Sequence, residues 1–261
     1  MASSSASPTG RFVWYDLMTT DVPAAQAFYE KVVGWQGKDS GVPGKTYTIF
    51  SLGDEMLAGL MPIPDDARRS GVRPAWMGYI GVDDVDAWAA RLQAAGGTVH
   101  RPGTDIPGVG RFAVVGDPQG AGFMLFHPLG RQDAPNDASD APGRVGWREL
   151  RAADGPSAFT FYSTLFGWSA SRAVDMGELG LYTVFGYDGQ DRGGVMTRTP
   201  QTPAPSWLYY FNVDAIDAAA DRVKGAGGQV ATPPMQVPSG QWILAAHDPQ
   251  GAEFALLAPR R

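Results

Sequence analysis

The chain has no cysteine and only three histidines in 261 residues. Without thiols there can be no disulfide, no thiolate nucleophile and no cysteine-ligated metal. Long apolar runs are also missing: no stretch approaches the roughly 20 residues of a membrane-spanning helix. The opening MASSSASPTG lacks the basic and apolar regions of a secretory signal. Residues 1–10 are therefore expected to be a disordered leader, and a cytoplasmic location is expected. Basic residues are outnumbered, 21 against 27, for a net charge of −6. That balance argues against nucleic acid and anionic membrane as partners, both of which attract a basic face. No G-x-S-x-G occurs, and Gly108–Gly110 does not lie between a strand and a helix, so neither an acyl-transfer nucleophile nor a phosphate loop is indicated.

What the chain does have is a duplication. Ala25–Trp35 (AQAFYEKVVGW) returns as Ala158–Trp168 (AFTFYSTLFGW), each preceded by an aspartate, Asp21 and Asp154, that stand 133 residues apart. Around these copies the same programme runs twice. Phe12–Leu17 reads as an aromatic strand, and Thr19–Asp21 supplies helix caps. Pro23 suits a first helical turn, Ala24, Ala27, Phe28 and Val32 form an apolar stripe, and Gly34 stops the helix. Gln36–Asp39 reads as a further short strand, and Tyr47–Leu52 and Leu57–Met61 form a hairpin across Gly53–Glu55. Pro62–Pro74 reads as a loop. A second unit follows: a strand at Trp76–Val82, a helix at Val85–Ala95 capped by Asp83 and Asp84 and stopped by Gly96 and Gly97, and strands beginning at Thr98, Phe112 and Gly122 around the turn Asp117–Gly120. Leu129–Gly143, rich in Pro, Gly and Asp, is a linker. Beyond it Trp147, Tyr182, Trp207, Gly227 and Asp248 match Trp14, Tyr47, Trp76, Gly96 and Asp117 at offsets of 133, 135, 131, 131 and 131. Slips confined to loops mark a tandem duplication. The expected architecture is α+β, four βαβββ units in two modules, 11–128 and 144–259.

The opening strand running into Asp, the FY…GW helix, the V-D helix cap followed by G-G and the DPQG turn together resemble the vicinal-oxygen-chelate superfamily of glyoxalases, bleomycin-resistance proteins and extradiol dioxygenases. Within it the chain is similar to two-module proteins labelled glyoxalase-like or hydroxylase. The resemblance covers both modules and implies paired βαβββ units curving around a ligand cleft, with helices outside. It also implies where a metal would be held: in the first strand seven residues before the capping Asp, at the start of the strand opening the second unit, and in the last strand seven residues after the Asp of DPQG. Those places hold Trp14 and Trp147, Ala75 or Trp76 and Ser206 or Trp207, and Met124 and Ala255. Indole, thioether and methyl groups are not ligands for a hard or borderline divalent metal, so no cofactor is expected; the alternative is a divalent metal on displaced ligands.

The remaining polar candidates are few. Asp16 and Glu149 follow Trp14 and Trp147 by two residues, so strand alternation places each acid on the face of its tryptophan, the cleft face by resemblance. Each is a candidate acid or base; the alternative is a structural role, such as balancing Arg11 or Arg148. Tyr79 and Tyr210, matched at 131, and Met124 are candidate ligand contacts, with core packing as the alternative for the tyrosines. Of the three histidines, none of which has a counterpart in the other module, His127 could reach the cleft rim; His100 and His247 read as surface and turn residues. The helix aromatics read as core. The expected function is binding of a small hydrophobic or aromatic molecule without metal, as monomer or homodimer. An enzyme of the same fold (hydroxylase, lyase, isomerase or dioxygenase) and a non-catalytic scaffold are the alternatives.

Overall fold

The computed structural model describes residues 9–42, 44–130 and 140–261. Most of the expected leader and linker (residues 1–8 and 131–139) lies outside the described residues. The sheets follow the modules. The first contains β1 (Phe12–Thr19), β2 (Gln36–Asp39), β3 (Thr48–Leu52), β4 (Glu55–Pro62), β5 (Ala75–Gly81), β6 (Thr98–Ile106), β7 (Gly110–Gly116) and β8 (Gly122–Pro128). Their order is β2-β3-β4-β1-β5-β8-β7-β6. The second contains β9 (Val145–Ala152), β10 (Ser169–Asp175), β11 (Leu181–Tyr187), β12 (Gln190–Thr197), β13 (Ser206–Asn212), β14 (Gln229–Gln236), β15 (Trp242–His247) and β16 (Glu253–Ala258), in the corresponding order. β1 runs parallel to β4, β5 to β8 and β13 to β16, each across an intervening helix-containing crossover.

The helices are α1 (Val22–Val33), α2 (Asp65–Arg69), α3 (Val85–Ala94), α4 (Gly155–Phe166) and α5 (Ile216–Gly225). Local chemistry sets their ends. Asp21 accepts from Ala24 N at the start of α1, and Asp154 from Ser157 N at the start of α4. Gly34 and Gly167 close them at φ of +90° and +75°, a left-handed conformation that a side chain resists. Two expectations need correcting. The segment 62–74 includes the short helix α2, which Asp65 and Asp66 favour in its first turn and Arg68 and Arg69 in its last. The buried stripe of α1 is Ala25, Phe28, Tyr29, Val32 and Val33, with Ala27 exposed. The aromatic pair Phe28–Tyr29 dominates the burial and turns the helix by about one residue from the expected stripe.

Packing divides the chain differently from the sheets. Among the described residues, one compact unit comprises 9–13, 78–130 and 149–207; the other comprises 14–42, 44–77, 140–148 and 208–261. Each thus combines half of one module with half of the other. In the second unit α1 packs on α5 and β16: Phe28 meets Phe254 edge-on at 5.7 Å, Lys31 Nζ donates to Gly225 O and Arg222 Nε to Val32 O. Gly228 must lack a side chain there, because a Cβ would lie 2.7 Å from the Phe28 ring. The tryptophans that end the repeated stretch are anchored in the same way: Trp35 Nε1 donates to Gly143 O and Trp168 Nε1 to Gly10 O, both at 2.6 Å.

At the centre of each unit a tyrosine hydroxyl links indole to carboxylate. Trp76 Nε1 donates to Tyr29 Oη (2.8 Å), which donates to Asp248 Oδ2 (3.3 Å). In the other unit Trp207 Nε1 donates to Tyr162 Oη (3.3 Å), which donates to Asp117 Oδ2 (3.2 Å). The second oxygen of each aspartate accepts two backbone N–H groups of its own DPQG turn, from Gln119 and Ala121 or from Gln250 and Ala252. Burial nevertheless raises both carboxyls above the usual 3.8, and burial with the Asp248 charge raises the Tyr29 phenol.

A carboxyl whose pKa is raised by folding stabilises the fold most when protonated. That contribution is complete below the unfolded value near 3.8 and is lost as pH rises through the folded value. The Asp117→Asn and Asp248→Asn variants, which cannot lose a proton there, should therefore gain stability relative to the parent as pH rises from about 3 to about 7. Urea unfolding across that range reads the difference. A difference constant with pH would show that these carboxyls titrate alike folded and unfolded.

Candidate functional site

The acids singled out from the sequence lie on the sheets, each with a tyrosine partner. In the first module β1 presents Trp14 and Asp16. Asp16, 3% exposed, accepts at Oδ1 from Trp14 Nε1 (2.9 Å) and from Tyr47 Oη (2.8 Å), and the indole N–H also points at Tyr47 Oη (3.0 Å). Burial and then the Asp16 charge raise the Tyr47 phenol far above its usual value, so the tyrosine remains a neutral donor. The cluster has a built floor. Asp16 pairs with Gly59 of the parallel strand β4, and a Cβ on Gly59 would overlap both Tyr47 Oη and Asp16 Oδ1.

The second module repeats the pair with a longer acid. Tyr182 Oη donates to Glu149 Oε2 at 3.1 Å, and a Cβ on Gly194 of β12 would overlap the Tyr182 ring. Glu149 is half-buried where Asp16 is buried. The suggested partners of the acids are engaged elsewhere as well: Arg11 pairs with Asp188 at 2.8 Å, and Arg148 Nε donates to Tyr15 Oη at 2.6 Å. Tyr47, Tyr182, Gly59 and Gly194 were not among the sequence candidates. Tyr182 aligns with Tyr47, and Gly194 with Gly59, at the same offset of 135, so the repeat carried the signal. That a phenol lies across a glycine onto the acid two strands away is visible only in three dimensions.

The other candidates lie on the second halves of the modules. Tyr79 of β5 pairs in register with Met124 of β8, and its ring meets Phe126 edge-on at 5.8 Å. His127 alternates to the opposite side of β8 from Met124 and Phe126; it is exposed, with Nδ1 2.9 Å from Val82 O. It stands apart from the aromatic face. In the second module Tyr210 pairs with Ala255, and these two pack with Leu208 and Leu257, against which Trp147 and Ile243 lie half-buried. A separate groove of about 690 Å³ lies on the helical side between α3 and α4, lined by Arg91, Pro118, Phe161 and Leu165 among others.

The residues at the implied metal positions do not fit a divalent metal. The Trp14 indole is a donor already directed at a carboxylate, and indole nitrogen has no lone pair to give. Trp76 and Trp207 point their N–H groups into the helix-packed cores. Met124 is buried, 4% exposed, in the aromatic face, and Ala255 has no donor. Among the described residues no group of three or more His, Asp or Glu side chains could hold a metal ion.

Two substitutions test the floor of the acid–phenol pair. Gly59→Ala should cost about 1–3 kcal/mol, as for overpacking, and change near-UV circular dichroism as Trp14 and Tyr47 move. Tyr47→Phe, which takes one donor from a buried carboxylate, should cost about 1–3 kcal/mol in urea unfolding. Parental unfolding midpoints in both variants would show that the cluster is not held as described.

The fold and these sites can be set beside known proteins. The family model described as Glyoxalase/Bleomycin resistance protein/Dioxygenase superfamily matches residues 11–125 and 144–256. Similar curated proteins include "Putative glyoxylase CFP32" of Mycobacterium tuberculosis, 35% identical over 249 residues, 94% of each chain. They also include "Anthracycline biosynthesis protein DnrV" of Streptomyces peucetius, 30% identical over 264 residues, 96% of this chain and 94% of that one. Among solved structures, the Mn(II)-bound glyoxalase from Novosphingobium aromaticivorans aligns with a TM-score of 0.67 over 97% of this chain and 83% of its own. A variant of homoprotocatechuate 2,3-dioxygenase from B. fuscum aligns with a TM-score of 0.68 over 98% and 73%. Both are 16% identical to this chain, a level at which the likeness is one of fold. With two matched modules spanning nearly all of its length, the chain belongs to the glyoxalase/bleomycin resistance protein/dioxygenase superfamily.

Proposed function

We propose that this protein binds a planar, largely hydrophobic aromatic molecule without using a metal ion. The observation that carries this reading is the Trp14–Asp16–Tyr47 cluster. At a position where the superfamily resemblance implies a metal ligand, the chain has an indole locked by its N–H to a buried carboxylate. A tryptophan fixed in this way offers a rigid apolar ring at little entropic cost, which suits stacking against a flat ligand. The second module supports the same reading with Trp147 half-buried on Leu208, Tyr210 and Leu257. The similarity over most of both chains to a protein named for anthracycline biosynthesis favours a polycyclic aromatic compound over a small aliphatic one.

A second reading rests on Glu149. It is half-buried where Asp16 is buried, so its carboxylate is the better placed of the two to meet a proton of a bound molecule, with Tyr182 Oη 3.1 Å away. On that reading the protein is a metal-independent enzyme of the same fold, a hydroxylase, lyase or isomerase, with Glu149 as base and Tyr182 positioning it. Unchanged turnover in Glu149→Gln, once a substrate is in hand, would remove it from the mechanism.

Calorimetric and fluorescence titration with a soluble anthraquinone tests the binding reading. Trp14→Ala should lower the affinity of one class of site at least tenfold, about 1.4 kcal/mol, while Trp242→Ala, whose ring lies beneath Arg261 on β15, should bind as the parent does. Dialysis against a strong chelator should leave binding unchanged. Loss of binding on metal removal, restored by one equivalent of a divalent ion, would overturn the metal-independent reading.

A further inference from the structure

The two compact units are built on one template, but their helix pairs are joined differently. In one unit α1 faces α5; in the other α4 and α3 are their counterparts, at offsets of 133 and 131. The last turns of α5 and α3 end alike. Gly227 N donates to Lys224 O and Gly228 N to Val223 O, as Gly96 N does to Gln93 O and Gly97 N to Leu92 O. Neither cap reaches the carbonyl of the last helical residue, Gly225 O or Ala94 O, which also has no partner within its helix. At Gly225 O the donor comes from the facing helix. Lys31 Nζ of α1 donates to it at 2.7 Å, and Arg222 Nε of α5 donates back to Val32 O at 3.1 Å. A cation at the end of a helix also meets the negative pole of the helix dipole.

The α3–α4 pair is not bridged in this way. Thr164 stands where α1 has Lys31, and its side chain is too short to cross to Ala94 O. Arg91, the match of Arg222, lies over the Trp88 ring, 4.2 Å from its centroid, and the Trp88 N–H is taken by Asp83. Trp88 stacks on Phe166 at 5.3 Å, where the α1–α5 pair has only Ala219 and Val33. Phe161 is half-buried, whereas its counterpart Phe28 is buried against Phe254. Between α3 and α4 lies the groove of about 690 Å³, lined by Ala94 and Thr164 and by the apolar surfaces of Pro118, Phe161 and Leu165. We propose that this groove binds a primary ammonium ion carried on a short aliphatic chain. The ammonium donates to Ala94 O and the chain lies on Pro118, Phe161 and Leu165, so the ligand takes the place that the Lys31 side chain fills in the other unit. Arg91 also lines the groove, but the α1–α5 pair already holds an ammonium and a guanidinium together, each on a carbonyl. The net charge of −6 favours a cationic ligand over an anionic one. This site is separate from the sheet faces proposed to bind aromatic molecules, and neither reading depends on the other.

The test titrates the full chain near neutral pH with n-hexylamine and with 1-hexanol, which has the same chain and no charge. Amide resonances in 1H–15N spectra locate the site, and calorimetry gives the affinity. Hexylamine should shift the amides of Ala94, Ala95 and Thr164 and bind at least tenfold more tightly than hexanol. Thr164→Lys, at an exposed position, installs the residue that the other unit carries and should lower hexylamine affinity at least tenfold. Gln93→Lys adds the same charge to an exposed position of α3 outside the groove and should bind within twofold of the parent. Equal affinity for the two probes, shifts confined to residues elsewhere, or no binding at all would overturn the inference. Unchanged binding in Thr164→Lys, or an equal loss in Gln93→Lys, would do the same. A concentration-dependent dimer that Thr164→Lys dissociates, with no response to hexylamine, would replace the small amine by a second copy of the chain.

Discussion

A tyrosine hydroxyl held between an indole N–H and a buried aspartate is the contact on which the rest of each compact unit depends. Tyr29 between Trp76 and Asp248, and Tyr162 between Trp207 and Asp117, tie a helix from one module to a turn of the other. The same aspartates hold their own DPQG turns through two backbone N–H groups each. One carboxylate thus settles the entry to the last strand of a sheet and the docking of a helix from the other repeat. A buried carboxylate without these donors would be costly. The donors therefore make the pairing of unlike halves specific as well as compact, in a core otherwise filled by non-directional aromatic contacts.

A second pair of carboxylates, Asp16 and Glu149, sits on the sheets and follows the same rule of satisfaction by tyrosine. Here the phenols of Tyr47 and Tyr182 cross glycines, Gly59 and Gly194, that leave room for them. The duplication preserved this geometry while the residues around it diverged. Met18 and Ile63 of the first module stand where the second has Arg151 and Arg198. A duplicated scaffold can therefore change the residues along one face without altering strand order or register, because a side chain two residues along a strand changes the face and leaves the hydrogen-bond ladder intact.

Much of the architecture was legible in the chain. Asp21, Pro23 and Gly34 mark the ends of α1 through local hydrogen bonding and backbone preference, and those causes need no distant partner. Matching of Trp14 with Trp147 and Asp117 with Asp248 revealed the tandem order. The short helix after Pro64 is not legible, because a single turn carries no apolar period. The buried stripe of α1 lies a residue away from the expected one because alanines tolerate either side of a helix and the two large aromatics decide. At the candidate site, the acids and tryptophans of β1 and β9 were readable from period two. Their phenolic partners were not, since Tyr47 and Tyr182 lie 31 and 33 residues from the acids they bind.

The sequence by itself determined the duplication, the α+β class, the helix ends and the unsuitability of Trp14, Met124, Trp147 and Ala255 as metal ligands, because each is a matter of local pattern or of side-chain chemistry. Only the tertiary structure decided which half packs with which. That choice is made by long-range contacts such as Tyr29 with Asp248, 219 residues apart, where a buried donor must find a buried acceptor. It decided as well that each sheet acid is bound by a tyrosine lying over a glycine, a consequence of close approach between strands that no spacing along the chain specifies.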